Sequence, residues 1–148
     1  MHIVEMDQFE IMQVIDNALV GRLACVNGAQ PYVVPLNFVH HLGSLYAFTT
    51  FGRKVEWMRQ NPNVCVQFDH VTATNDWQSV IVMGQYEELA GDPDSHDARN
   101  EAYAQLSKRA EWWQPAYVKT ELRDHVRTLQ PVYFRIRITE KTGHKAVK

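Results

Sequence analysis

The runs RLACV, PYVVPLNFV, SLYAFTT and NVCVQFD, all between residues 22 and 69, constrain the fold of this chain more than any other feature. Each is short, rich in β-branched and aromatic residues, and bounded by turn-forming sequence such as NGAQ and HHLG, which is the pattern of strands rather than of helices. A longer apolar run from Trp77 to Leu89 follows, closed by the punctuation AGDPDS, and PVYFRIRIT from Pro131 to Thr139 alternates as a closing strand does. Three stretches read as helical. Asp7 is placed to cap the first, in which Phe9, Ile11, Met12, Ile15 and Leu19 recur near helical spacing until Gly21. The second runs from Gly52 to Gln60, and the third opens at Asp94 or Ser95, reaches about Lys108 and continues brokenly past EWWQP to Leu129. The expectation is a mainly β fold, six strands in a small barrel with accessory helices.

With 148 residues, 45% hydrophobic and 22% charged, and no repeat or linker, the chain reads as a single domain over residues 1–148. A net charge of -2 gives no electrostatic footprint for nucleic acid or an anionic membrane surface, so neither partner is expected. The N-terminal MHIVEMDQFEIMQ has acids in its first turns and no long apolar run, so neither a signal peptide nor a membrane span is expected. Cys25 and Cys65 lie far apart inside apolar runs, which reads as buried thiols in a reducing, cytoplasmic setting.

Little of the polar inventory reads as catalytic. His2, His40, His41, His70, His96, His125 and His144 are scattered without metal-ligand spacing, so no metal site is expected, and His40 and His41 read as solvated residues before the turn Leu42-Gly43. No serine sits in a GxSxG elbow, and Asp92, Asp94 and Asp97 fit a helix N-terminus. The segment TTFGRK is different. Thr49, Thr50, Gly52, Arg53 and Lys54 at the mouth of a helix are a sensible donor set for an anion, phosphate first among candidates, although the same residues also read as a strand end, a turn and two solvated charges. Pro35 favours an edge strand or a bulge, and DWQSVIVMG opens a long strand with an indole, an amide and a hydroxyl. A flat aromatic ligand with a phosphate tail calls for about this mixture.

The order GRLACVNGAQPYVVPLNFVHHLGSLYAFTTFGRKVEWMRQNPNVCVQFD, then WQSVIVMGQYEEL, resembles the FMN-binding split-barrel family related to pyridoxamine 5'-phosphate oxidase, especially its nitroimidazole-resistance-type branch. The likeness covers about Gly21 to Leu89 and, more weakly, the first helix and last strand. It implies a six-stranded, Greek-key-like split β-barrel binding FMN. By resemblance, the strand matching Val33, Val34, Pro35, Leu36 and Asn37 lines the isoalloxazine ring, and the strand end Phe48, Thr49 and Thr50 supports the ribityl chain and phosphate. Arg53 and Lys54 match the phosphate-binding pair. Ser79, with Trp77 and Gln78 beside it, matches a stretch that approaches the flavin from a second subunit, implying a homodimer with the cofactor at its interface.

The resemblance therefore implies a flavin-dependent oxidoreductase acting on a small molecule, in which the flavin carries the chemistry. A flavin-binding or storage protein without turnover is the rival from another class, and related split barrels also take haem or a deazaflavin. Two departures narrow the match. Phe48 stands where many members of that branch have a histidine, in a connection one residue shorter, so chemistry needing that imidazole is not implied. The ending ITEKTGHKAVK aligns with no substrate-phosphate site, so the chain is not read as the oxidase itself. Trp112 and Trp113 are expected to anchor helices by packing.

Overall fold

The computed structural model describes residues 1–89, 96–108 and 131–148. In chain order it contains β1 (His2–Glu5), α1 (Gln8–Asn17), β2 (Gly21–Asn27), β3 (Gln30–Leu36), β4 (Val39–His41), β5 (Ser44–Thr50), α2 (Arg53–Gln60), β6 (Asn63–Ala73), β7 (Asp76–Glu88), α3 (His96–Leu106) and β8 (Pro131–Val147). Trp112, Trp113, Asp92, Asp94 and the continuation of the third helix to Leu129 lie outside the described residues.

The strands form one antiparallel sheet in the order β3-β2-β6-β7-β8-β5-β4, with β1 added on β8. β3 and β4 end the path without pairing to each other, so the sheet is open. Yet inward residues from strands far apart in that order, among them Leu23, Leu45, Val66, Val82 and Phe134, share one buried cluster with Ile11, Val14 and Ile15 of α1 and Met58 of α2. A flat sheet could not bring those faces together; the sheet curls into a split barrel around a single core.

Among the described residues the count is eight strands rather than six. PYVVPLNFV divides into β3 and β4, joined through Asn37 and the buried Phe38. β1 is the other addition, and its four exposed residues carry no alternation by which a strand is recognised. β8 also runs past Thr139 to Val147, pairing β7 along one side and, on the other, β5 near its start and β1 near its end. Pro35 does sit on an edge strand, since among the described strands β3 pairs β2 alone.

Local chemistry sets the elements. Asp7 caps α1 in a reciprocal capping box with Glu10, whose backbone N–H donates to Asp7 at 2.8 Å. β4 and β5 are joined by Leu42 (φ 47°) and Gly43 (φ 79°), a tight hairpin turn that leaves Leu42 in a left-handed conformation rare for its type. His40 and His41 lie in β4, half-buried rather than solvated. His41 Nε2 sits 2.7 Å from Glu101 Oε1, tying β4 to α3, and burial pushes the His40 imidazole below its usual pKa. At Gly84 the β7–β8 ladder shifts register, and a Cβ would lie 2.6 Å from the Arg137 carbonyl oxygen, so only glycine fits. Among the described residues no helix is long and apolar enough to cross a membrane.

Glu87 links β7 to β8 by accepting from Arg135 at 2.7 Å and Arg137 at 2.6 Å, and the Arg135 hydrogen bond leads in holding its carboxyl below the usual range. A depressed carboxylate stabilises the fold above the unfolded-state pKa, and that contribution fades as pH falls through the folded-state value. Because the side chain is 39% exposed, solvent screening limits the effect. Glu87→Gln is expected to lose about 1 kcal/mol at neutral pH and progressively less below about pH 4. Urea unfolding of both proteins at the two pH values checks this; a gap independent of pH would remove the ionic explanation.

Candidate functional site

α2 is built so that one face enters the core and another faces a cleft. Val55 and Met58 are fully buried, whereas Arg53, Glu56 and Trp57, at spacings of three and four, share the opposite side. Its start is set by Gly52, an extended N-cap that offers no side chain to the first-turn N–H groups. Its far end is clamped: Arg59 donates twice to Glu88, at 2.8 and 3.1 Å, while the Tyr86 hydroxyl donates to the same carboxylate at 2.7 Å. The Arg59 guanidinium also lies 5.1 Å from the Phe51 ring centroid, so the clamp reaches back to the turn that precedes the helix.

The cleft, of about 710 Å³, lies between this helix, the end of β5 and the edge strand β3. The structure brings together in it Pro35 and Leu36 from β3, Thr49 and Thr50 from β5, and Arg53 and Lys54 from α2. Two cations and two hydroxyls at a helix start are complementary to a phosphate, and an edge strand leaves backbone groups on its outer side for hydrogen bonding to a ligand. Beneath them, burial pushes the Cys25 thiol up, partly opposed by the Lys54 ammonium, so this cysteine stays a protonated, inert thiol at neutral pH. Cys65 is half-buried.

The other residues singled out from the sequence lie around this cleft or away from it. Val33 is exposed on the outer face of β3, Val34 packs against the core, and Asn37 follows β3 in the link to β4. Phe48 is buried in a small cluster with Leu106, its ring centroid 4.5 Å from that of Tyr133. Trp77, Gln78 and Ser79 open β7 and do not line the cleft of their own chain. Ser79 Oγ accepts from Gln67 Nε2 at 3.2 Å, and Gln78 lines a separate cavity of about 380 Å³ with Gln13, Asn17 and His70.

Tyr32, Phe51, Glu56 and Trp57 complete the cleft and were not among the sequence candidates. For Glu56 and Trp57 the signal was present in their helical spacing from Arg53. Tyr32 shares with Leu36 the β3 face that reaches the cleft, but nothing local in the sequence places that face against α2.

Comparison with known proteins agrees with this architecture. A protein of unassigned function from Rhizobium meliloti (strain 1021) is 33% identical over 141 residues, covering 95% of this chain and 93% of its own. The crystal structure of an FAD-binding protein from Mesorhizobium loti superposes with a TM-score of 0.79 at 39% identity, covering 99% of this chain and 100% of that one. A candidate 5-nitroimidazole antibiotic resistance protein from Bacteroides thetaiotaomicron shares the fold at TM-score 0.70 and 20% identity, over 97% of this chain and 87% of that one. A family model described as pyridoxamine 5'-phosphate oxidase matches residues 7–145, nearly the whole chain, and to that family this protein belongs.

Proposed function

We propose that this chain binds the FMN group of a flavin in the Arg53 cleft and acts, as a homodimer, as a flavin-dependent oxidoreductase on a small molecule. The observation that carries the reading is the convergence of Thr49, Thr50, Arg53 and Lys54 with the edge strand β3 in one cleft. The donor set fits the group: the two cations and two hydroxyls would hold the phosphate, Pro35 and Leu36 would form an apolar wall, and the outer edge of β3 would meet the polar rim of the ring. A bound flavin supplies hydride and electron transfer, so the protein's share is to place it and to exclude water. The FAD-binding relative from Mesorhizobium loti supports a flavin as the ligand.

A visible spectrum of freshly purified protein is the direct test, with flavin bands expected near about 370 and 450 nm. Protein that is colourless and does not quench added FMN would sink the reading. Flavin that binds tightly but is never reoxidised at the expense of a nicotinamide or a small acceptor would leave a binding protein without turnover.

The homodimer is supported by the outer face of the sheet. Val33, Ala24, Cys65 and Met83 lie opposite one another across β3, β2, β6 and β7, forming an apolar row in which Val33 is 61% and Met83 48% exposed. Ser79 and Ile81 project from that same face by strand alternation. A second copy docked there would cover the row and bring Ser79 toward its partner's cleft. Sedimentation should give a dimer, and Met83→Asp should shift it toward monomer; a parent protein that stays monomeric while binding FMN tightly would exclude a shared site. The two free cysteines support a reducing, cytoplasmic setting.

A further inference from the structure

Arg53 is held differently from other arginines of the sheet and of α2. Arg22 lies within ion-pair distance of Asp69, Arg59 of Glu88, and Arg135 and Arg137 of Glu87. Among the described residues Arg53 makes no such ion pair, although Glu56 lines the same cleft. Its guanidinium lies instead 5.5 Å from the Tyr32 ring centroid and 5.8 Å from that of Trp57. The two rings meet edge to face, with centroids 5.6 Å apart and planes at 63°. We propose that Tyr32 and Trp57 are positioning residues, which bracket the Arg53 guanidinium and hold it, with its charge uncompensated, for the phosphate of the ligand; this rests on the flavin reading above.

A carboxylate partner would compete with an incoming phosphate and would have to be displaced by it. An aromatic ring attracts the cation through its quadrupole and leaves the positive charge available to an anion. A planar guanidinium suits this arrangement, since it packs against rings while its edges remain donors. Arg53 is exposed, so without a bracket its long side chain would sample many rotamers. Restricting it before the ligand arrives reduces the entropy lost on binding. The bracket is itself anchored, because both rings are half-buried and pack against the main core cluster. Trp57 lies one helical turn beyond Arg53 on α2, whereas Tyr32 comes from the edge strand β3, so the pair also ties the start of the helix to the strand.

The test is a pair of double-mutant cycles on the full-length protein, titrated with FMN and with riboflavin and followed by flavin fluorescence. Tyr32→Leu and Trp57→Leu are each expected to weaken FMN binding roughly three- to tenfold while riboflavin stays within about twofold. Tyr32→Phe and Trp57→Phe keep a ring and should stay within about twofold of the parent for both ligands. In the Arg53→Ala background neither leucine substitution should weaken FMN further, because the group it positions is gone. Riboflavin is the internal control for folding, and Tyr32 provides a variant outside the helix. The bracket is overturned if both leucine variants keep the parent's FMN affinity, if they lose FMN and riboflavin equally, or if their losses persist undiminished without Arg53; in each case flavin binding itself stands. Failure of the parent to bind either flavin overturns the flavin reading and the bracket with it.

Discussion

Replacing Arg53 or Lys54 by alanine is expected to weaken FMN binding roughly ten- to a hundredfold while leaving riboflavin binding nearly unchanged. Hydrogen bonds to a charged group contribute about 1.5–3 kcal/mol each, and both cations line the cleft that begins at Gly52. Riboflavin lacks the phosphate, so it reads the rest of the site alone. Misfolding would weaken both ligands, which makes the ratio of the two losses the informative number. If both variants bind FMN as tightly as the parent, the two side chains are a solvated helix face and the ligand lies elsewhere.

The largest stability effect is expected at Phe134. Its side chain is fully buried on β8, with ring centroids 5.2 Å from Tyr86 and 6.3 Å from Phe38, which in turn meets Phe68 at 6.1 Å. These edge-on and tilted contacts connect β7, β8, β6 and the link after β3. Removing the ring both loses its transfer free energy and leaves a cavity that the strands paired on both sides of Phe134 resist closing. Phe134→Ala should therefore cost about 3–5 kcal/mol in urea unfolding. Phe9→Ala, at a site 72% exposed, should stay within about 0.5 kcal/mol. A loss at Phe134 no larger than that at Phe9 would mean the aromatic cluster is not what holds the barrel's halves together.

The same two phenylalanines show where sequence reading succeeds and fails. The apolar runs identify the principal strands because an inward face must alternate, and Asp7 with Glu10 identifies the start of α1 because capping is local. The apolar recurrence from Phe9 to Leu19 is longer than the buried face of α1. Ile11, Val14 and Ile15 are buried, whereas Phe9 lies two positions from Ile11 and so on another side, and Leu19, 80% exposed, falls beyond the helix's end at Asn17. The tail EKTGHKAV has no strand signature of its own; pairing with β7 and β1 makes it one. In the cleft, TTFGRK was legible because its donors are contiguous. Tyr32 was not, since only the packing of α2 beside β3 brings it to Arg53.

The place of β8 has a consequence for the order of events during synthesis. Without it, the sheet falls into a β3-β2-β6-β7 piece and a separate β4–β5 hairpin, and β1 has no strand to pair with. While residues 131–147 are still inside the ribosome, the emerged chain can form hairpins but cannot unite them, and the inner faces of β5 and β7 stay open to water. Closure then requires one strand to find three partners drawn from widely separated parts of the sequence, a search that slows with the span of the loops it must close. The exposed apolar faces of that interval are where aggregation would compete. Lesions in β8 should accordingly reduce the yield of folded protein during expression more than their effect on the stability of the finished fold would imply.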